Sequence, residues 1–434
     1  MNQNNFFRNI ITKIIHFFIF LKDFLLLLAI LMYTINGYIM LKAYKYRLYP
    51  KNKQQVLLNK HFGCCRFIYN WALETAIKQY QKDKTQFSKY DLIKQITKKK
   101  KQTETSWLSE VNSQSLQYTI QNLDTAFVRF FKKKARFPKF KNKNQRQSFS
   151  CPQNVKIDFH NSTVRLPKIG KIKAVFSREF KGKIKTCTIS RNKINQYFIS
   201  MLIEDGKKNP IPTKPNKRKA VGIDLGIKDF AITSDGEKTA NPRCLKKSLG
   251  RLKCLQRRAS RKKKGSLNRK KANFRLAKVY NKITNQRSDF LHKLSTKLIR
   301  ENQTICLEDL NISGMMKNHC LAQAISDVSW SKFVDMLKYK AEWYGKNIIQ
   351  INRFSPSSKM CNYCGWIKKD LTLKDRIWKC KSCGKEVDRD INAAKNILDL
   401  GFHPKNLFHE GIENNKKKYS PMDSGVEPVE LSGS

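Results

Sequence analysis

The chain has 434 residues and sets 88 Lys and Arg against 33 Asp and Glu, a formal charge of +55. A compact fold so charged repels itself unless a polyanion neutralises it, which argues against small-molecule metabolism and for nucleic acid as the partner. Hydrophobic residues at 40% and aromatics at 11% exclude a disordered chain and imply several folded domains. Eight of the twelve cysteines are scattered, and four form two C-x-x-C pairs. That pattern suggests a reducing compartment and a metal site rather than a disulfide framework.

Residues 1–39 stand apart. Phe24 to Tyr33 is an unbroken apolar run, but its ten residues are too few for a bilayer span, which needs about 20. No small-x-small cleavage site follows it. The working protein is therefore expected to begin at Met40, with 1–39 a spurious upstream translation or an extension outside the core. A membrane anchor is the alternative, although the strongly basic remainder would then lack its partner.

From Met40 the elements follow in order. Leu41 to Tyr49 alternates like a strand and is ended by Pro50. Lys51 to about Tyr80 has helical spacing of Leu57, Phe62, Ile68 and Trp71; a second helix is expected from about Ser115 to Lys134. The run Lys98–Lys101 reads as a solvated face or a phosphate contact. In residues 130–149, Phe137, Phe140 and Phe149 alternate with Lys139, Lys141, Lys143 and Arg146. Those rings either stack bases or anchor a basic loop to the core. Short β-rich runs at 163–166, 171–177, 184–190 and 196–203 suggest a compact β-barrel, completed by the strand at 41–49. The Pro-rich stretch 209–219 reads as a linker.

The chemistry begins at AVGIDLGIKDFAIT (220–233), where Asp224 ends a strand between Gly222 and Gly226. Flanking glycines let a metal or phosphate approach the backbone. A second strand, Thr304 to Leu307, delivers Glu308, and Asp388 and Asp390 open a short helix, where an N-cap role competes with a catalytic one. Three acids on strand ends and a helix start suit a two-Mg²⁺ nuclease, with Mg²⁺ taking oxygen ligands. Between the second and third acids, Cys361-x2-Cys364 and Cys380-x2-Cys383 have tetrathiolate zinc spacing. Four thiolates close the coordination shell, so this zinc is expected to be structural. From about 246 to 300 two helices dense in Lys and Arg flank a turn at Gly265-Ser266. Their apolar stripe is expected in the core, and their basic faces on a nucleic-acid backbone.

The order Asp, basic helical insert, Glu, zinc knuckle, Asp resembles the TnpB (OrfB) proteins of bacterial insertion sequences, compact relatives of type V CRISPR effector nucleases. The matching stretches are VGIDLGIKDFAITSDG, the insert ending NQRSDFLHKLST, ICLEDLNISGMMKN, Ser329-Trp330 with YKAEWYG, and SSKMCNYCG through CGKEVDRDINAAKNIL. MLKAYKYRLYP and CCRFIYNWALE look like that family's amino-terminal region, so the resemblance covers about 40–400. It implies an RNase H-like (RuvC-type) nuclease guided by an RNA from the element's own end and cutting double-stranded DNA. The metal-binding acids fall on Asp224, Glu308 and Asp390, chosen over Asp388 by the family's D-x-N-A-A pattern. Zinc falls on Cys361, Cys364, Cys380 and Cys383.

The expected fold class is α+β and multidomain. A β-barrel at 40–218 carries a helical, helix-turn-helix-like recognition insertion at about 51–135. A RuvC-like domain at 219–400 holds the basic hairpin and a zinc ribbon at about 355–387, and a flexible tail follows at 401–434. The protein is expected in the cytoplasm with the nucleoid, as a monomer with RNA and no membrane partner. A non-catalytic zinc-ribbon regulator of transposition is the alternative, but it has no use for three carboxylates facing phosphates. A junction resolvase would share the nuclease fold without needing the basic insert.

Overall fold

The computed structural model describes residues 39–403 except 86, 373 and 374. The expected N-terminal extension therefore lies outside the described residues except for Ile39, and the expected tail except for 401–403. The chain divides into two compact units, with the boundary between Asn209 and Pro210 at the start of the Pro-rich stretch.

The first unit opens with β1 (Ile39–Tyr49) and three helices: α1 (Asn52–Asp83), α2 (Lys89–Lys101) and α3 (Ser113–Phe131). Six strands follow: β2 (Gln147–Cys151), β3 (Lys156–Asp158), β4 (Thr163–Leu166), β5 (Gly170–Val175), β6 (Lys183–Arg191) and β7 (Tyr197–Lys208). Period-2 alternation drives the strands: Tyr197, Ile199, Met201 and Ile203 of β7 are buried while the residues between them are half-buried. On α1, Leu58, Phe62, Cys65, Tyr69, Ala72 and Ala76 recur at three- and four-residue steps and are all buried. Ser88 caps α2 and Asn112 caps α3, each accepting from a backbone N–H of the first turn. Phe149 is core, stacked on His61 at 4.9 Å, whereas Phe137 and Phe140 of the same basic loop are exposed.

The expected barrel does not form. The seven strands make one antiparallel sheet in the order β2-β6-β7-β1-β5-β4-β3, and among the described residues β2 and β3 remain its two unpaired edges. Closure requires strands long enough to tilt and stagger around an axis. Here β3 has three residues and β4 four. The β2 edge is instead covered by helices: α1 and α3 pack on it, and Arg66 of α1 donates to the Gln147 side chain at 2.8 Å. The sequence shows turn-linked strands, but not whether the two edge strands meet.

The second unit is built on β8 (Ala220–Asp224), β9 (Asp229–Thr233), β10 (Lys238–Ala240), β11 (Thr304–Glu308) and β12 (Asn347–Ile351). Their order is β10-β9-β8-β11-β12, with β11 parallel to both β8 and β12 and the β10-β9-β8 edge antiparallel. Burial along β8 and β11 is nearly continuous, as parallel strands covered on both faces require. Helices α4 (Cys244–Ser260) and α5 (Leu267–Glu301) form the crossover from β10 to β11. Their stripe of Leu252, Val279 and Ile283 is buried between them, while Arg257, Arg258, Lys262, Lys263, Lys270 and Lys271 are exposed.

After β11 come α6 (Ile312–Met315), α7 (His319–Val328) and α8 (Trp330–Tyr344). One sheet face packs Val221, Ile223, Ile305 and Leu307 against Leu291, Leu298, Phe333 and Leu337. The other packs Cys306, Ile349 and Ile351 against Ile397 of α9 (Arg389–Gly401). Between β12 and α9 lie the short strands β13 (Ile377–Lys379) and β14 (Glu386–Asp388), paired antiparallel. Among the described residues no helix is long and apolar enough to cross a membrane.

Candidate active site and metal centre

The C-terminal ends of parallel strands are where an open α/β sheet presents its chemistry. The β8–β11 register sets Leu307 beside Ile223, so the next residues, Glu308 and Asp224, end neighbouring strands about 4.8 Å apart. Asp390, in the first turn of α9, joins them, and its charge acts on Asp224. Burial, and then the charges of Glu308 and Asp390, push the Asp224 carboxyl up to about 7. The fold thus gathers three acids from positions 224, 308 and 390 into one electrostatic neighbourhood.

Asp388 does something else. Its carboxylate accepts from the backbone N–H groups of Asp390 and Ile391 at 3.0 and 3.1 Å, and from Lys238 Nζ at 2.7 Å. It is the N-cap of α9. The glycines beside Asp224 also serve a purpose other than the expected ligand approach. A β-carbon on Gly222 would meet the Ala394 carbonyl oxygen at 2.1 Å, so α9 itself occupies that space. A β-carbon on Gly226 would meet the Asp229 carbonyl oxygen at 2.7 Å, in the tight turn to β9.

Two of the acids have polar company that the motifs do not announce. Asp390 accepts from Arg376 Nη1 at 2.9 Å and from Arg389 Nε and Nη2 at 3.0 and 2.9 Å. Glu308 Oε1 accepts from the hydroxyl of Ser357, a buried residue. Asn392 and Asn396, one turn apart on α9, are both buried and bond the loop before and within the first cysteine pair. The available signal is two asparagines four residues apart, facing inward among alanines.

The four cysteines converge. Cys361, Cys364, Cys380 and Cys383 place their Sγ atoms within 4.8 Å of one another, and among the described residues they are the one such set of three or more possible metal ligands. Gly365 and Gly384 take φ of +77° and +70°, which lets each chain fold back so that its N–H donates to the carbonyl of Cys361 or Cys380. Buried Trp378 packs beneath, near Trp366. A tetrathiolate with no fifth donor among the described residues suits a structural zinc ion. The three carboxylates are spread more widely, with Asp390 turned to two arginines. Their oxygen donors and mutual repulsion suit a hard divalent cation such as Mg²⁺.

Residues 199–319 match a family described as a probable transposase, OrfB of IS605. Residues 330–397 match a Cas12f1-like TNB domain and residues 40–85 a helix-turn-helix domain. A Streptomyces pristinaespiralis protein described as "Putative RNA-guided DNA endonuclease" is 40% identical over 363 residues, covering 83% of this chain and 89% of the relative. "Putative RNA-guided DNA endonuclease InsQ" of Escherichia coli K12 is 31% identical over 376 residues, 83% of this chain and 92% of its own. Among solved structures, the Cas12f1–sgRNA–target DNA complex is similar with a TM-score of 0.45 and 14% identity, over 84% of this chain and 99% of that one. With 40% identity sustained over 83% of its length, the chain belongs to the TnpB/OrfB family of RNA-guided nucleases.

Proposed function

We propose that the chain is a transposon-encoded, RNA-guided DNA endonuclease whose phosphodiester hydrolysis is carried by Asp224, Glu308 and Asp390. The observation that carries the assignment of residues is the gathering of the three acids at the C-terminal ends of β8 and β11 and the first turn of α9, where burial and the other two charges hold Asp224 up to about 7. A half-buried cluster of like charges is costly without a cation and useful with one. The guide RNA, drawn from the element's own end, supplies sequence selection by base pairing. The protein supplies the backbone grip and the cutting centre.

Two Mg²⁺ ions held by these acids would supply an activated water and stabilise the leaving 3′-oxygen. The chain's own residues do the remainder. Ser357 orients Glu308 by its hydroxyl, and Arg376 and Arg389 hold Asp390 in place by ion pairs. The exposed cations of α4 and α5 lie on a helical hairpin whose apolar stripe is already used in packing, which leaves them free to track phosphates. We further assign zinc to the four cysteines and a monomer with its RNA as the working form, in the cytoplasm with the nucleoid.

The test is cleavage by the purified protein–RNA complex of a DNA that carries the guide's sequence beside randomised flanks, with Mg²⁺. Asp224→Ala, Glu308→Gln and Asp390→Asn should each lower cleavage by roughly two orders of magnitude or more while RNA stays bound. Undiminished cleavage by any one of them removes that residue from the centre.

A further inference from the structure

We infer that the first zinc knuckle sets the geometry of the cutting centre through a hydrogen-bonded relay, in which Ser357 is the positioning residue for Glu308. The inference rests on the reading of Asp224, Glu308 and Asp390 as the cation-binding acids. Ser357 is 4% exposed, and its hydroxyl donates to Glu308 Oε1, leaving Oε2 for a cation. A hydroxyl that donates in this way fixes which way the carboxylate faces.

Ser357 is itself held. Its carbonyl accepts from Asn396 Nδ2 at 2.7 Å, and its own N–H donates to the Ser355 carbonyl at 2.8 Å. Asn396 and Asn392 both donate to the Met360 carbonyl, the residue immediately before the ligand Cys361. Asn362, immediately after it, donates its N–H to Asn392 Oδ1 at 2.9 Å and its side-chain amide to Asn396 Oδ1 at 3.1 Å. Asn392 and Asn396 are 2% and 1% exposed, so these bonds have no water to replace them.

The loop 357–362 thus ends on Glu308 at one side and on the zinc cluster at the other. It is sewn along its length to α9, two and six residues beyond Asp390. Two of the three acids are therefore registered against the same knuckle. Outer residues that orient a ligand typically change metal affinity by about 10- to 100-fold when removed.

The experiment titrates Mn²⁺, followed by its electron paramagnetic resonance signal, into the full-length protein–RNA complex, and measures zinc content and melting temperature alongside. Ser357→Ala is expected to weaken Mn²⁺ binding by about tenfold with one zinc per chain retained and melting nearly unchanged. Ser357→Thr, which keeps the hydroxyl, is expected to restore it. Asn396→Ala should weaken Mn²⁺ in the same direction. If that variant does not fold, the Ser357 pair decides alone, because it leaves every backbone bond of the loop in place. Wild-type Mn²⁺ affinity in Ser357→Ala overturns the relay, provided Glu308→Gln has lost it. Wild-type affinity in Glu308→Gln instead overturns the assignment of the acids themselves.

Discussion

Gly222 of β8 lies directly beneath Ala394 of α9, so close that a β-carbon on the glycine would stand 2.1 Å from that residue's carbonyl oxygen and 2.7 Å from the Leu398 nitrogen. Both obstacles are backbone, which cannot rotate aside. Gly222→Ala should therefore lift α9 from the sheet and carry Asp390 away from Asp224, at a cost of about 3 kcal/mol. Urea unfolding and DNA cleavage, measured on the same preparation, should both fall. Wild-type stability would mean that the helix can slide without loss.

The proton on Asp224 makes a pH-dependent prediction. Its folded pKa of about 7 lies above the unfolded value of about 3.9, so the native protein holds an extra proton between them. The stability this contributes is complete below about pH 3.9 and is lost as pH rises through about 7. Without divalent ions, Asp224→Asn should flatten that decline in melting temperature between about pH 4 and about pH 7. In the same window a cation must displace the proton, so Mg²⁺ affinity should rise with pH and level off above about 7. An identical pH profile in the Asn variant would count against this account.

Zinc analysis should find one ion per chain, and Cys361→Ser or Cys380→Ser should lose it, since both thiols are buried in the cluster. The loss should spread beyond the ribbon, because Asn392 and Asn396 tie its first knuckle to the helix bearing Asp390. Cleavage is expected to fall even with saturating Mg²⁺. Full cleavage by a zinc-free variant would separate ribbon from centre.

Asp327 at the end of α7 anchors the basic hairpin. Its carboxylate, 8% exposed, accepts from the Leu245 N–H at 2.9 Å, from the Lys246 N–H at 3.3 Å and from Arg287 Nη2 at 2.7 Å. It thereby caps α4 and pairs with α5 at once. Asp327→Ala leaves a guanidinium and two amides without their acceptor, a loss of about 3 kcal/mol. Limited proteolysis should then cut first within 244–290. Protection there equal to wild type would show that the apolar stripe alone holds the hairpin.

Much of the candidate site is legible in the sequence. The zinc spacing, the strand-end acids and the helix-start Asp390 are local patterns, each imposed by chemistry acting over a few residues. The basic hairpin and its turn at Gly265-Ser266 are legible for the same reason: a helical stripe and a capping serine are written in neighbouring positions. Asp388 is harder, because a cap and a ligand are the same residue type. Its bonds to the N–H groups of Asp390 and Ile391 show the cap, which no spacing in the sequence does.

What the chain's order alone determined was which elements exist and which groups they carry, since periodicity, caps and ligand spacing are short-range. What tertiary structure decided was how those elements meet. It left the amino-terminal sheet open, because β3 and β4 are too short to close it and helices cover the other edge. It gave Gly222 to a packed helix rather than to a ligand. It also set Ser357 against Glu308 across 49 residues of sequence, a hydrogen bond that no local pattern encodes because its partners are neighbours only in space.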